Sequence, residues 1–164
     1  MKHKSTKEGL NIIKRSYGNA AIYTRKTAFY EKDKELNDNL TQRLICTVTV
    51  KFNIEDEISV LLKRYDENRY VEDDIDNRPV LKELFKDIKD GLVDTVAVYS
   101  MNILSANLKT VDKIVSFFKA HKVRIILAHE RVDTFMPSGR RFFLQIAELA
   151  HFEKPETKGY FLNE

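Results

Sequence analysis

Apolar positions along the chain fall into two repeating patterns. Three short runs are almost continuously apolar and rich in β-branched or aromatic residues: Ala20-Ala21-Ile22-Tyr23, Thr95-Val96-Ala97-Val98-Tyr99 and Val123-Arg124-Ile125-Ile126-Leu127. Runs of that length and composition predict buried strands. Arg69-Tyr70-Val71 is a weaker candidate of the same kind. Between the runs, apolar residues recur at helical spacing. Residues 36–53 form one such stretch, although Thr47-Val48-Thr49-Val50 suits a strand equally well by propensity. In the next, Val80, Leu81, Leu84, Phe85 and Ile88 make a single stripe. Asn77 is its expected N-cap, Pro79 suits the first turn, and Gly91 can supply a left-handed stop. A third helix is predicted over residues 108–121, with Val111, Ile114, Val115 and Phe118 on one face. A fourth is predicted after Pro137, capped by Ser138 and reaching about Glu153. Buried strands alternating with amphipathic helices predict an α/β fold, a three-layer domain with a central, mostly parallel sheet. Chemistry in such folds gathers at the carboxyl ends of the strands, here residues 24–28, 100–106 and 128–139.

Composition narrows the picture without changing it. A chain of 164 residues, 43% hydrophobic and 32% charged, fits one domain with a true core, and excludes disordered, collagenous and disulfide-stapled classes. The net charge of +3 neither demands nor excludes a polyanionic partner. Its distribution is uneven. Lys2, Lys4, Lys7, Lys14 and Arg15 make the first 18 residues a basic extension, and Asp73, Asp74 and Asp76 crowd an acidic middle. Lys119, Lys122, Arg124, Arg131, Arg140 and Arg141 return the charge to positive. Either a basic face or a solvated mixed surface would result. Cys46 is alone, so no internal disulfide forms and a reducing compartment is the simpler reading. No apolar run is long enough to span a membrane and no signal-peptide core is visible, so the expected location is cytoplasmic. His3, His121, His129 and His151 show no metal-ligand spacing with Cys46. A Gly-rich phosphate loop and a nucleophile elbow are both missing, so neither a metal nor a small-molecule cofactor is expected.

One set of segments, read in order over residues 19–153, resembles the catalytic domain of the serine recombinases, the resolvase and invertase family. Ala20-Ala21-Ile22-Tyr23-Thr24-Arg25-Lys26-Thr27 is similar to the family's first strand and its Arg-x-Ser loop. Asn77-Arg78-Pro79-Val80-Leu81 resembles its Arg-Pro-x-Leu segment, and residues 94–108 resemble its third strand and the loop after it. Asp133-Thr134-Phe135-Met136-Pro137-Ser138-Gly139-Arg140 is similar to the Asp-Thr-x-x-Pro-x-Gly-Arg loop that opens the family's dimer helix. Ala150-His151-Phe152-Glu153 resembles that helix's Ala-x-Phe-Glu. The resemblance implies a resolvase-like catalytic domain over residues 19–153, followed by a short tail at 154–164. It also implies a role in DNA site-specific recombination within or derived from a mobile element. There a serine hydroxyl attacks a DNA phosphodiester while arginines steady the developing charge.

The resemblance also shows where this chain departs. Thr27 stands at the nucleophile position and carries an extra methyl, with Arg25 and Arg78 at matching cationic positions and Gln42 at a glutamine position. In the loop after the third strand, Asn102 stands for the family's aspartate, and Ile103 and Ala106 stand for its two arginines. Losing one transition-state donor typically costs about 10²–10³ in rate, so impaired cleavage is expected. Each of these residues also has an ordinary structural role open to it. Arg25 can pair with the acids around Asp73, Ile103 and Leu104 can pack under the sheet, residues 102–107 can serve as turn and cap, and Ser138-Gly139-Arg140 can be capping alone. The last helix carries two apolar arcs, Phe142, Ile146 and Leu149, and Phe143, Ala147 and Ala150. One arc can cover the sheet and the other can meet a partner, so Phe142, Phe143, Ile146, Ala147 and Ala150 are the expected interface. The partner is a second copy in a homodimer or a related recombinase in a mixed dimer. Pro155 should end the helix near Glu153, leaving no room for a DNA-reading module, so any DNA binding would be weak and salt-sensitive. Two other functions stay open: an active recombinase domain using a threonine nucleophile, and a non-specific nucleic-acid binder.

Overall fold

The computed structural model describes residues 18–52 and 58–152. The basic extension before Gly18, with His3, and the chain from Glu153 onward lie outside the described residues. The strands are β1 (Asn19–Arg25), β2 (Ser59–Val60), β3 (Tyr65–Glu67), β4 (Thr95–Val98), β5 (Arg124–Leu127) and β6 (Val132–Asp133). The helices are α1 (Asn39–Phe52), α2 (Pro79–Lys89), α3 (Met101–Leu104), α4 (Leu108–Ala120) and α5 (Pro137–Phe152). The sheet runs β2-β1-β4-β5-β6, with β3 also paired to β1. Every pairing is parallel except β5 with β6. Side chains along a strand alternate between faces, yet every residue from Ala20 to Arg25, Thr95 to Val98 and Arg124 to Leu127 is buried. Helices therefore cover the sheet on both faces, as the nearly continuous apolar runs predict.

Two acids fix the ends of this scaffold. Asp94, just before β4, accepts the Gly18 and Asn19 N–H groups at 3.0 Å each and so ties the start of β1 to its neighbour. Burial raises the Asp94 carboxyl above its ordinary range, against the pull of those N–H groups. Glu67 on β3 does the same service for α2. Its Oε1 accepts the N–H groups of Val80 and Leu81, both at 3.0 Å. A carboxylate at a helix N-terminus satisfies free donors and complements the macrodipole.

That arrangement corrects two expectations. Asn77 is not the N-cap of α2, because it lies in a preceding 3-10 turn and a long-range carboxylate fills the role. Arg69-Tyr70-Val71 is not a strand. The pairing segment lies at Tyr65–Glu67, where Tyr65 and Glu67 are buried while Arg69 and Tyr70 are exposed. Residues 47–50 are helical, settled by Cys46 and Val50 packing against the sheet. Gly91 ends α2 at φ +77°, the left-handed stop expected of it. Ser138 lies inside α5 and does not cap it. What fixes that start is Gly139, where a Cβ would come 2.0 Å from the Asp133 carbonyl oxygen. Cys46 is fully buried on α1, and burial pushes its thiol up to about 12.

Candidate functional site

The carboxyl ends of β1 and β4 converge on a buried polar network. Arg25, the last residue of β1, is 2% exposed. Its Nε donates to the Ile103 carbonyl at 2.9 Å and its Nη2 to Asp73 Oδ1 at 2.6 Å. Arg78 is fully buried beside it. Its guanidinium donates to the Tyr23 hydroxyl at 3.1 and 3.2 Å and to the carbonyl oxygens of Ile103, Leu104 and Asp73. Tyr23 passes the chain on, donating to Glu67 Oε1 at 3.2 Å. Burial lowers the Arg78 pKa from its ordinary value and raises that of Tyr23 well above its own. Two guanidinium charges thus stand against the carboxylates of Asp73 and Glu67, and the corner is close to neutral.

Asp73 gathers more than one partner. Besides Arg25, its carboxylate accepts the Ser105 hydroxyl and, at 3.4 Å, the Ala106 N–H. Burial pushes its pKa up, but Ser105, Arg25 and Arg78 outweigh that and hold it below the ordinary carboxylate range.

The sequence-predicted residues meet here in differing ways. Gln42 is fully buried, its Oε1 accepting the Arg25 N–H at 3.0 Å and its Nε2 donating to the Arg25 and Leu36 carbonyls at 2.9 and 2.7 Å. It fastens the end of β1 to α1. Thr27 is 5% exposed and caps a 3-10 turn over Ala28–Tyr30. Its Oγ1 accepts the Tyr30 N–H at 3.3 Å, and its own N–H donates to Asn37 Oδ1 at 2.7 Å. Among the described residues its hydroxyl has no guanidinium as a hydrogen-bond partner. Asn102 is half-buried on α3, Ile103 and Leu104 are fully buried, and Ala106 is exposed. The Ile103 and Leu104 backbone offers the corner carbonyl acceptors, which hold the two arginines inward. Asn107 caps α4 through the Lys109 N–H at 2.9 Å.

Sequence reasoning missed Glu67, Tyr23 and Ser105 as members of this network. Their signal was present only as polar residues in or beside buried runs, and no local spacing joins positions so far apart. The buried hydroxyl pair of Tyr30 and Ser100, at 2.6 Å, was likewise invisible.

The expected interface needs correction. Phe143, Ile146 and Ala150 are buried within the chain, and Phe142 and Ala147 are half-buried. The exposed apolar side chains of α5 are Leu144, Leu149 and Phe152. Helical spacing showed an arc wide enough for two partners, but it left open which half turns inward, and the expected interface mixed residues of both. A cleft of about 490 Å³, lined by Lys119, Lys122, Arg140, Phe135 and Leu144 among others, sits near the amino end of β5. It therefore lies at the opposite end of the strands from the arginine network. Among the described residues no group of His, Cys, Asp and Glu could hold a metal, and no helix is long and apolar enough to cross a membrane.

This fold is similar to that of two solved structures. The N-terminal catalytic domain of TP901-1 integrase aligns at TM-score 0.63 and 24% identity, over 82% of this chain and 95% of that one. A resolvase family site-specific recombinase from Streptococcus pneumoniae aligns at TM-score 0.66 and 16% identity, over 89% and 94%. In sequence, the Tn917 resolvase of Enterococcus faecalis is 31% identical over 78 residues, which is 48% of this chain and 41% of that protein. This chain thus aligns with less than half the length of that relative. The family model for the resolvase N-terminal domain matches residues 47–159, a stretch that begins within α1 and leaves β1 and Thr27 outside it. Since that model covers more than half of the chain, the chain belongs to the resolvase N-terminal domain family.

Proposed function

We propose that this chain is a recombinase-type domain with impaired strand cleavage, which acts in site-specific recombination by pairing with a second copy or with a related recombinase. Charge carries the reading. Both arginines that match the family's cationic positions already have internal acceptors: Asp73 and a carbonyl for Arg25, and Tyr23 and carbonyls for Arg78. The two further family arginines fall on Ile103, which is buried, and Ala106, which has no cation to offer. A phosphodiester beside Thr27 would find few free donors for the charge that builds up during transfer. The branched rotamer of Thr27, engaged with Tyr30, adds a second obstacle. The free apolar residues of α5 support the pairing half of the reading, since a helix that has already buried one stripe keeps Leu144, Leu149 and Phe152 for another surface.

The test is a nicked suicide duplex incubated with the chain and resolved on a denaturing gel. No covalent protein–DNA adduct is expected, even over hours. An adduct formed by wild type and lost in Thr27→Ala would overturn the proposal in favour of an active threonine recombinase.

A further inference from the structure

We propose that the Asp73 carboxylate is a tethered stand-in for a phosphate oxyanion, plugging an anion cradle built by Arg25, Ser105 and the Ala106 N–H. The inference builds on the recombinase-type reading of this corner and adds a regulation of it. Three donors of different kinds converge on one carboxylate: a guanidinium N–H at 2.6 Å, a hydroxyl, and a backbone N–H at 3.4 Å. A cation, a hydroxyl and an amide aimed at one point are what a phosphate group needs, because its oxygens only accept. Two of the three donors come from buried, well-fixed residues, Arg25 at 2% and Ser105 at 1% exposure. The carboxylate differs from them. The Asp73 side chain is 37% exposed and sits on a segment that is neither helix nor strand, between β3 and the turn before α2. The cradle is thus built from the end of β1 and the residues that follow α3, and the plug comes from the loop between β3 and the turn before α2.

Electrostatics agree with the geometry. With Asp73 in place, Arg25 and Arg78 face two carboxylates. Without it, only Glu67 remains, and Glu67 is committed to Tyr23 and the start of α2. The vacated cradle would carry a net positive charge in a buried setting, where an oxyanion is strongly favoured. In the wild type a free anion must compete with a carboxylate held at high effective concentration, so binding there is weak.

The experiment compares wild type, Asp73→Ala and Asp73→Asn, with inorganic phosphate and dimethyl phosphate as probes, by calorimetry and thermal unfolding. Asp73→Ala is expected to bind at least one of the two anions at least about tenfold more tightly than wild type. At about a hundred times its Kd, that anion should raise the Tm of the variant by about 5 °C or more. Asp73→Asn, which keeps the shape of the side chain and guards against simple misfolding, should move the same way by less. Adding Ser105→Ala to either variant should reverse the gain. Dimethyl phosphate binding would point to a nucleic-acid backbone as the natural ligand, and binding of inorganic phosphate alone to a free ion. If both folded variants bind each anion no better than wild type, or if Ser105→Ala leaves the gain intact, the plug is overturned. A Thr27-dependent DNA adduct from wild type would instead remove the impaired-cleavage reading while leaving the anion result to stand or fall separately.

Discussion

Two corners of the molecule bury arginines, and they do so by different means. At the β5–β6 corner, Arg124 grips Asp133 through two nitrogens, Nε at 2.9 Å and Nη2 at 2.6 Å, and lies 4.4 Å from the Phe135 ring centroid. The partners are nine residues apart, on adjacent strands whose ladder sets Ile126 opposite Asp133. Arg140 closes the same corner by donating to the Thr134 and Phe135 carbonyls at 3.0 and 3.1 Å. At the β1–β4 corner, Arg25 and Arg78 depend on groups from β1, α3 and the Asp73 segment, with 48 residues separating Arg25 from its acid. The first corner is local architecture that launches α5. The second is a long-range charge balance at the end of the sheet where reactions of such folds take place. Pairing a buried guanidinium is therefore not in itself a mark of function; what matters is whether the partner is part of the frame or merely laid across it.

Substitutions can break that contrast. The largest effect is expected for Arg78→Met, which takes away the donors to the Asp73 and Leu104 carbonyls, leaves the Ile103 carbonyl to Arg25 and the Tyr23 hydroxyl to Glu67, and unbalances the buried carboxylates. It should cost about 3–5 kcal/mol in urea unfolding, and a loss below about 1 kcal/mol would mean the network does not hold the sheet end. Next comes Gly139→Ala. Its Cβ would meet backbone and not a movable side chain, so a loss of about 2–3 kcal/mol is expected by the same measurement. A neutral outcome would show that the start of α5 can shift, and the local corner would be the softer of the two. The smallest stability change, within about 0.5 kcal/mol, is expected for the exposed residue Leu149→Glu. The same variant should lower the mass seen by light scattering toward that of a monomer. An unchanged mass would place any pairing surface elsewhere than on α5.

The same contrast explains how much could be read from the chain. The strands β1, β4 and β5 were legible because burial on both faces leaves near-continuous apolar runs. The β6–α5 loop was legible only through its resemblance to the Asp-Thr-x-x-Pro-x-Gly-Arg segment, and the close approach of Gly139 to the Asp133 carbonyl was not read from it. The pairing of Arg25 with Asp73 was open to anticipation as simple charge matching. The capping of α2 by Glu67 was not, since a polar Asn77 beside Pro79 satisfied every local rule and lost to a carboxylate from β3. Nor was the burial of Arg78, because arginine normally keeps its head in water and nothing nearby in sequence announces three carbonyls waiting for it. Strand β3 was displaced from Arg69–Val71 for a similar reason: propensity favoured the latter, but Tyr65 had a deeper partner, its hydroxyl donating to Asp87 at 2.7 Å.

Sealing Cys46 on the inward face of α1 has a practical corollary. A thiol kept protonated and away from solvent ignores alkylating reagents while the helix stays on the sheet. Iodoacetamide would then modify the chain only in those moments when α1 lifts away, and the pace of labelling becomes a clock for opening of the very layer that clamps Gln42 to the end of β1.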